Sequence, residues 1–67
     1  MKRKWKIRVS RDGATQHEAT MTTGGAMWNY AATQCETTNQ EAILETATSL
    51  MMDAFACNES SVKEIQR

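Results

Sequence analysis

His17, Cys35 and Cys57 are the residues whose types could carry covalent chemistry, and Glu41, Glu45 and Asp53 are those whose spacing could carry recognition. A nucleophilic pair needs a thiol or hydroxyl beside a base, and His17 is the single histidine available for that role. Cys35 and Cys57 form no CxxC motif and no Cys/His cluster, so both read as buried structural thiols rather than as a redox pair or metal ligands. Gly24-Gly25 lacks the Lys and Ser/Thr that turn a glycine bend into a phosphate-binding loop. The methionines read as core filler. The expectation is a protein that is not an enzyme, with no catalytic residue, cofactor or metal.

Recognition chemistry is better represented. Glu41, Glu45, Ser49 and Asp53 recur every four residues, which on a helix lines three carboxylates along one exposed side. No Lys or Arg occurs between Asp12 and Glu59 to answer them. Glu41 suits the positive end of a helix dipole, but Asp53 near the other end opposes it. Capping and the dipole account for Glu41 and partly for Glu45, but a purely structural helix would more often place Lys at position 53; the stripe is either an ordinary solvated face or a docking surface for an Arg/Lys-rich partner. The opposite pole is basic: Lys2, Arg3, Lys4, Lys6, Arg8 and Arg11 are six of the eight cations in a chain whose formal net charge is zero. Lys4, Lys6 and Arg8 would share a strand face, and contact of that face with phosphates is the competing expectation.

These groups need elements to hold them. From Lys4 to Arg11 apolar and polar residues alternate, putting Trp5, Ile7 and Val9 on one face and Lys4, Lys6, Arg8 and Ser10 on the other, the pattern of a half-buried strand. Asp12-Gly13 marks a hairpin turn. A two-residue loop would set Val9 against Gln16 and Ile7 against Glu18, mixing faces. A three-residue loop, Asp12 to Ala14, instead sets Val9 against His17, Ile7 against Ala19, Trp5 against Met21 and Arg8 against Glu18, so the three-residue loop is expected. Lys2, Arg3, Lys4 and Lys6 are then the cations left for a partner.

Gly24-Gly25 predicts a second reversal. From Ala26 to Thr37, Trp28, Tyr30 and Ala32 alternate with Met27, Ala31 and Cys35, which predicts a third strand; Met27, Tyr30, Ala31 and Gln34 on one helical face is the alternative. Thr38-Asn39-Gln40-Glu41 has the form of a capping box, opening a helix from about Asn39 to Ala56. Ile43, Leu44, Ala47, Leu50, Met51, Ala54 and Phe55 make its apolar stripe, and Asn58 is the expected left-handed cap. The tail SSVKEIQR reads as a short final strand, or as a helical turn begun at Ser61.

The expected fold is α+β: one domain over residues 1–67, a small antiparallel sheet of three strands plus a short C-terminal strand, packed on one amphipathic helix. A chain of 67 residues buries about 60% of its unfolded surface and is marginally stable alone, which favours a partner or a homo-oligomer. Neither a signal-peptide run nor a membrane-length apolar stretch is present, so a cytoplasmic protein is expected.

A very small chain with a basic first strand, an acidic body and the ETTNQEAILETA turn and helix resembles the phage- and mobile-element-encoded inhibitors, among them anti-CRISPR proteins. That resemblance implies a compact sheet-plus-helix protein that binds a host protein or ribonucleoprotein complex and blocks its access to nucleic acid. It carries over no residue roles.

Overall fold

A computed structural model describes residues 3–65, save the side chains of residues 15 and 16. It is an α+β fold: β1 (Lys4–Arg11), β2 (Ala14–Thr22), α1 (Ala26–Cys35), α2 (Gln40–Phe55) and β3 (Glu59–Ile65). The sheet has the order β2-β1-β3, with both neighbours antiparallel to β1. The chain therefore leaves the hairpin at β2, crosses β1 through the helical pair and returns on the far side. That route explains why β3 needs two helices before it, since β2 and β3 run in the same direction and no tight turn can join them.

The hairpin has the expected pairing, with Trp5 opposite Met21, Ile7 opposite Ala19, Arg8 opposite Glu18 and Val9 opposite His17. The turn that delivers it differs from the expected three-residue loop. Arg11 pairs with Ala14 and Ser10 with Thr15, so the loop is only Asp12-Gly13, both at positive φ (54° and 85°). This is the pattern of a type I′ turn, which suits the twist of a hairpin. The register then shifts between Val9 and Ser10, leaving Gln16 as the extra backbone residue of a bulge. Turn chemistry and face segregation are both satisfied, because the bulge inserts the one residue that a two-residue loop lacks.

The expected third strand is helix α1. Its inward face is Met27, Trp28, Ala31, Ala32 and Cys35, a spacing of three and four that overrides the alternation of Trp28 and Tyr30. Ala31 is fully buried while Tyr30 is 59% exposed. Gly25, the N-cap, is held by its N–H to the Thr22 carbonyl at 2.9 Å, and a Cβ there would lie 3.1 Å from that same oxygen. The sheet thus packs on two helices rather than one.

Helix α2 also starts one residue later than the capping-box reading. Asn39 is the N-cap, its side-chain oxygen accepting from the Ala42 N–H at 3.1 Å, while Thr37 Oγ1 accepts from the Asn39 N–H. Asn caps better than Thr. The left-handed cap at the other end is Ala56, not Asn58, and the Cys57 N–H reaches the Met52 carbonyl at 2.9 Å. Asn58 instead ties β3 to the hairpin, donating from its N–H to the Ser10 carbonyl and accepting from the Asp12 N–H through Oδ1.

The core is Trp5, Ile7, Val9 and Met21 from the hairpin, Ala31 from α1, and Ile43, Ala47 and Met51 from α2. Trp5 stacks on Trp28 with ring centroids 5.4 Å apart. The apolar stripe of α2 is buried only as far as Met51. Ala54 and Phe55 are exposed, and the Phe55 ring lies against His17 of β2 at 3.6 Å between centroids. The final strand is present as β3, and its last two residues in the expected range, Gln66 and Arg67, lie outside the described residues.

Candidate functional site

The acidic stripe is where the four-residue spacing puts it. Glu41, Glu45 and Asp53 are exposed on α2, and among the described residues none of them has an ion-pair partner. The helix supplies no cation of its own, and Lys4, Lys6, Arg8 and Lys63 stand on the open face of the sheet, away from it. The buried side of the same helix is apolar except for Thr48, whose hydroxyl donates back to the Leu44 carbonyl at 2.8 Å. The side chains of α2 are thus sorted into a core face and a bare acidic face.

Two depressions flank that face. One, of about 570 Å³, lies between α2 and β3, with Glu41 and Glu45 on one rim and Leu44, Met52 and Val62 contributing apolar surface. Beside it β3 is exposed along most of its length, and Val62 is 41% exposed. The second, of about 340 Å³, lies on the other side, lined by Gln34, Glu45, Ser49, Leu50 and Asp53. Glu45 borders both, which makes it the central residue of the surface. Periodicity reveals the carboxylates, but the apolar floor beside them depends on the sheet order.

The basic face is organised differently. Lys4, Lys6 and Arg8 do share the open face of β1, as alternation requires. Arg8 Nε donates to Glu18 Oε2 at 2.7 Å, and Lys6 Nζ lies 3.9 Å from Glu18 Oε1. Of the three, only Lys4 has no ion pair among the described residues. Lys63 of β3 stands directly opposite Lys6, two like charges across one ladder step.

Arg3 is not a free arm. Its Nε and Nη2 donate to the two Glu64 oxygens at 2.6 Å each, Nη1 donates to Gln40 Oε1 at 3.1 Å, and the guanidinium lies 5.4 Å from the centre of the Trp5 ring. Its backbone carbonyl accepts from the Thr23 N–H. One side chain thus joins the end of the hairpin, the start of α2 and the end of β3. The Arg3 hydrogen bonds, with its charge adding to them and desolvation opposing, hold the Glu64 carboxyl below the usual carboxylate range. They raise the Arg3 guanidinium in turn. Nothing in the local sequence signals this clamp. Lys2, the remaining cation of the expected arm, lies outside the described residues.

His17 is exposed and packed on Phe55, with Val9 opposite it across the ladder. Cys35 and Cys57 are free, half-buried thiols, not fully buried ones, and their sulfurs approach the Ala32 and Phe55 carbonyls. Among the described residues no three His, Cys, Asp or Glu side chains are grouped to hold a metal ion, and no helix is long and apolar enough to cross a membrane. Comparison of the chain with protein-family models, curated proteins and solved structures found no match.

Proposed function

We propose that the chain is a non-enzymatic interaction module and that the acidic side of α2 is the surface it presents. The observation that carries this reading is the set Glu41, Glu45 and Asp53, exposed and without ion pairs among the described residues, beside a groove with an apolar floor. At 1.5 Å per residue the three carboxylates span about 18 Å of helix. A partner that inserts Arg or Lys side chains along that line gains charge-assisted contacts at the rim and apolar contact at Leu44, Met52 and Val62. Basic grooves of that kind are the ones that hold nucleic acid.

The partner in this reading is a host protein or ribonucleoprotein, and the action is steric: the acidic helix occupies a site that a polyanion would use. This is also the action of the phage- and mobile-element-encoded inhibitors, anti-CRISPR proteins among them, whose layout the chain resembles. Direct nucleic-acid binding through Lys4, Lys6 and Arg8 is the weaker alternative, because Glu18 already answers two of those cations and few counterions remain to be released.

The test is capture of a partner from host-cell extract by the tagged protein, repeated with Glu45→Lys and Asp53→Lys together. The double variant should keep the circular-dichroism spectrum and lose the partner. Undiminished capture by a folded variant sinks the reading, and salt-sensitive binding of an oligonucleotide that disappears with Lys6→Ala would replace it.

A further inference from the structure

The two edges of the sheet are unlike. On β2 the ladder is interrupted by the bulge at Gln16, a device that disfavours pairing with another chain. On the other side, β3 pairs with β1 over all seven of its residues without a shift, and its outer edge has no neighbour in the strand order. Glu59, Ser61, Lys63 and Ile65 lie on the open face with Lys4, Lys6 and Arg8, while Ser60, Val62 and Glu64 lie on the helix side.

We infer that β3 is the seam of a homodimer, its free edge pairing with β3 of a second copy, antiparallel about Ser61, to give a six-stranded sheet with both helical layers on one face. This rests on strand geometry and charge and is independent of the acidic-face reading. A two-fold axis normal to the sheet keeps like faces together, so residues of one face must stand opposite residues of the same face, and the register must centre on a single residue. Centred on Ser61, Glu59 of each copy faces Lys63 of the other, twice, and Ser60 faces Val62. Centred on Val62, Glu59 faces Ile65 and Lys63 faces Ser61, leaving both charges unanswered. Centred on Lys63, the two lysines collide, and centred on Ser60, Lys63 has no counterpart.

Lys63 supplies the second argument. A lysine on an edge strand ordinarily discourages pairing. Here it already faces Lys6 within its own sheet, and among the described residues it has no ion pair. Among the described residues the Glu59 carboxylate has only the Ser10 hydroxyl, at 3.2 Å. The second copy's Glu59 provides the carboxylate that Lys63 lacks, since Lys6 already has Glu18 at 3.9 Å. Pairing also joins the two grooves across the seam, so that the exposed Val62 of each copy lies diagonal to the other and faces a partly covered apolar floor.

Light scattering during size-exclusion chromatography of the protein alone, across a concentration series, should give twice the 7.5 kDa chain mass. Glu59→Lys and Lys63→Glu should each weaken self-association by about tenfold or more, and the two together should restore it. In a Cys35→Ser/Cys57→Ser background, Ser61→Cys should form an interchain disulfide on mild oxidation. Val62→Cys should not, because diagonal positions about 7–8 Å apart lie beyond disulfide reach. Circular dichroism confirms that each variant is folded. A monomer at every concentration overturns the inference, including the case in which β3 instead takes an extended segment of another protein. So does a dimer indifferent to the charge swap, or one that crosslinks at residue 62 rather than 61.

Discussion

In the sheet, Arg8 meets Glu18 across one ladder step on the open face, and Arg3 reaches Glu64 of β3 on the helix side. On α2, Glu41, Glu45 and Asp53 meet nothing of opposite charge among the described residues. The first region is richer in charge, and of its Arg3, Lys4, Lys6 and Arg8 only Lys4 has no ion pair among the described residues. The reason lies in the elements: each strand residue acquires a cross-strand neighbour, whereas an exposed helix residue has only those three and four positions away on its own helix. A cationic run in a strand is therefore weak evidence for a polyanion partner, and an unpaired carboxylate stripe on a helix is stronger evidence for a basic one.

Both regions are mounted on one small core, so losing that support should disturb them together. Ile43 is fully buried between α2 and the hairpin. Ile43→Ala should cost about 2–5 kcal/mol through lost transfer energy and a residual cavity. A domain of this size is expected to lose about 10 °C or more of thermal midpoint, measured by circular dichroism. A midpoint within 3 °C of the parent would show that the core closes over the gap.

The next effect is confined to α2. Asn39→Ala removes the side chain that accepts from Ala42 and should destabilise by about 0.5–2 kcal/mol, whereas Thr38→Ala should change little. Urea melts of the two variants distinguish the caps. The opposite ranking would restore the Thr38 capping box.

That contrast shows what was legible in the chain. The period-2 pattern of Trp5, Ile7 and Val9 with Arg8 opposite Glu18 specified the hairpin pairing, because one slip would expose every core residue. It did not specify the route, since a three-residue loop and a two-residue loop with a bulge give the same pairing beyond Val9. Ala26 to Cys35 was misread because Trp28 and Tyr30 mimic alternation over a segment too short for either period to win; the buried Ala31, which lets α1 approach its neighbours, decides it. The acidic stripe was visible because it is periodic. The groove beside it was not, and nor was the bond from Arg3 to Glu64, 61 positions away, because both depend on which strand β3 joins.

Acid should act on the sheet through Glu64. The Glu64 carboxyl is held below its ordinary range by the Arg3 hydrogen bonds. A carboxyl lowered in the folded state contributes stability that is fully present above its unfolded value and disappears as pH falls through the lowered folded value. Urea midpoints should therefore fall with acidification, starting where an ordinary carboxyl begins to protonate, and Glu64→Gln should flatten that fall. An unchanged slope would show that the clamp adds nothing in solution.

The smallest effects probe the charges themselves and differ in sign between the two regions. A double-mutant cycle over Arg8→Ala and Glu18→Ala should give a favourable coupling of about 0.2–1 kcal/mol, reduced by salt because both side chains are largely exposed. Glu45→Gln should behave in the opposite way. Glu41 lies four residues earlier on the same face, and relieving that like-charge pair should stabilise α2 by about 0.2–0.5 kcal/mol at low salt. A helix selected only for its own stability would already have made that exchange, so a gain in stability accompanied by loss of partner capture would identify Glu45 as a residue kept for recognition. A loss of stability instead would mean that Glu45 has a favourable contact in solution, and the two charged regions would then be built alike.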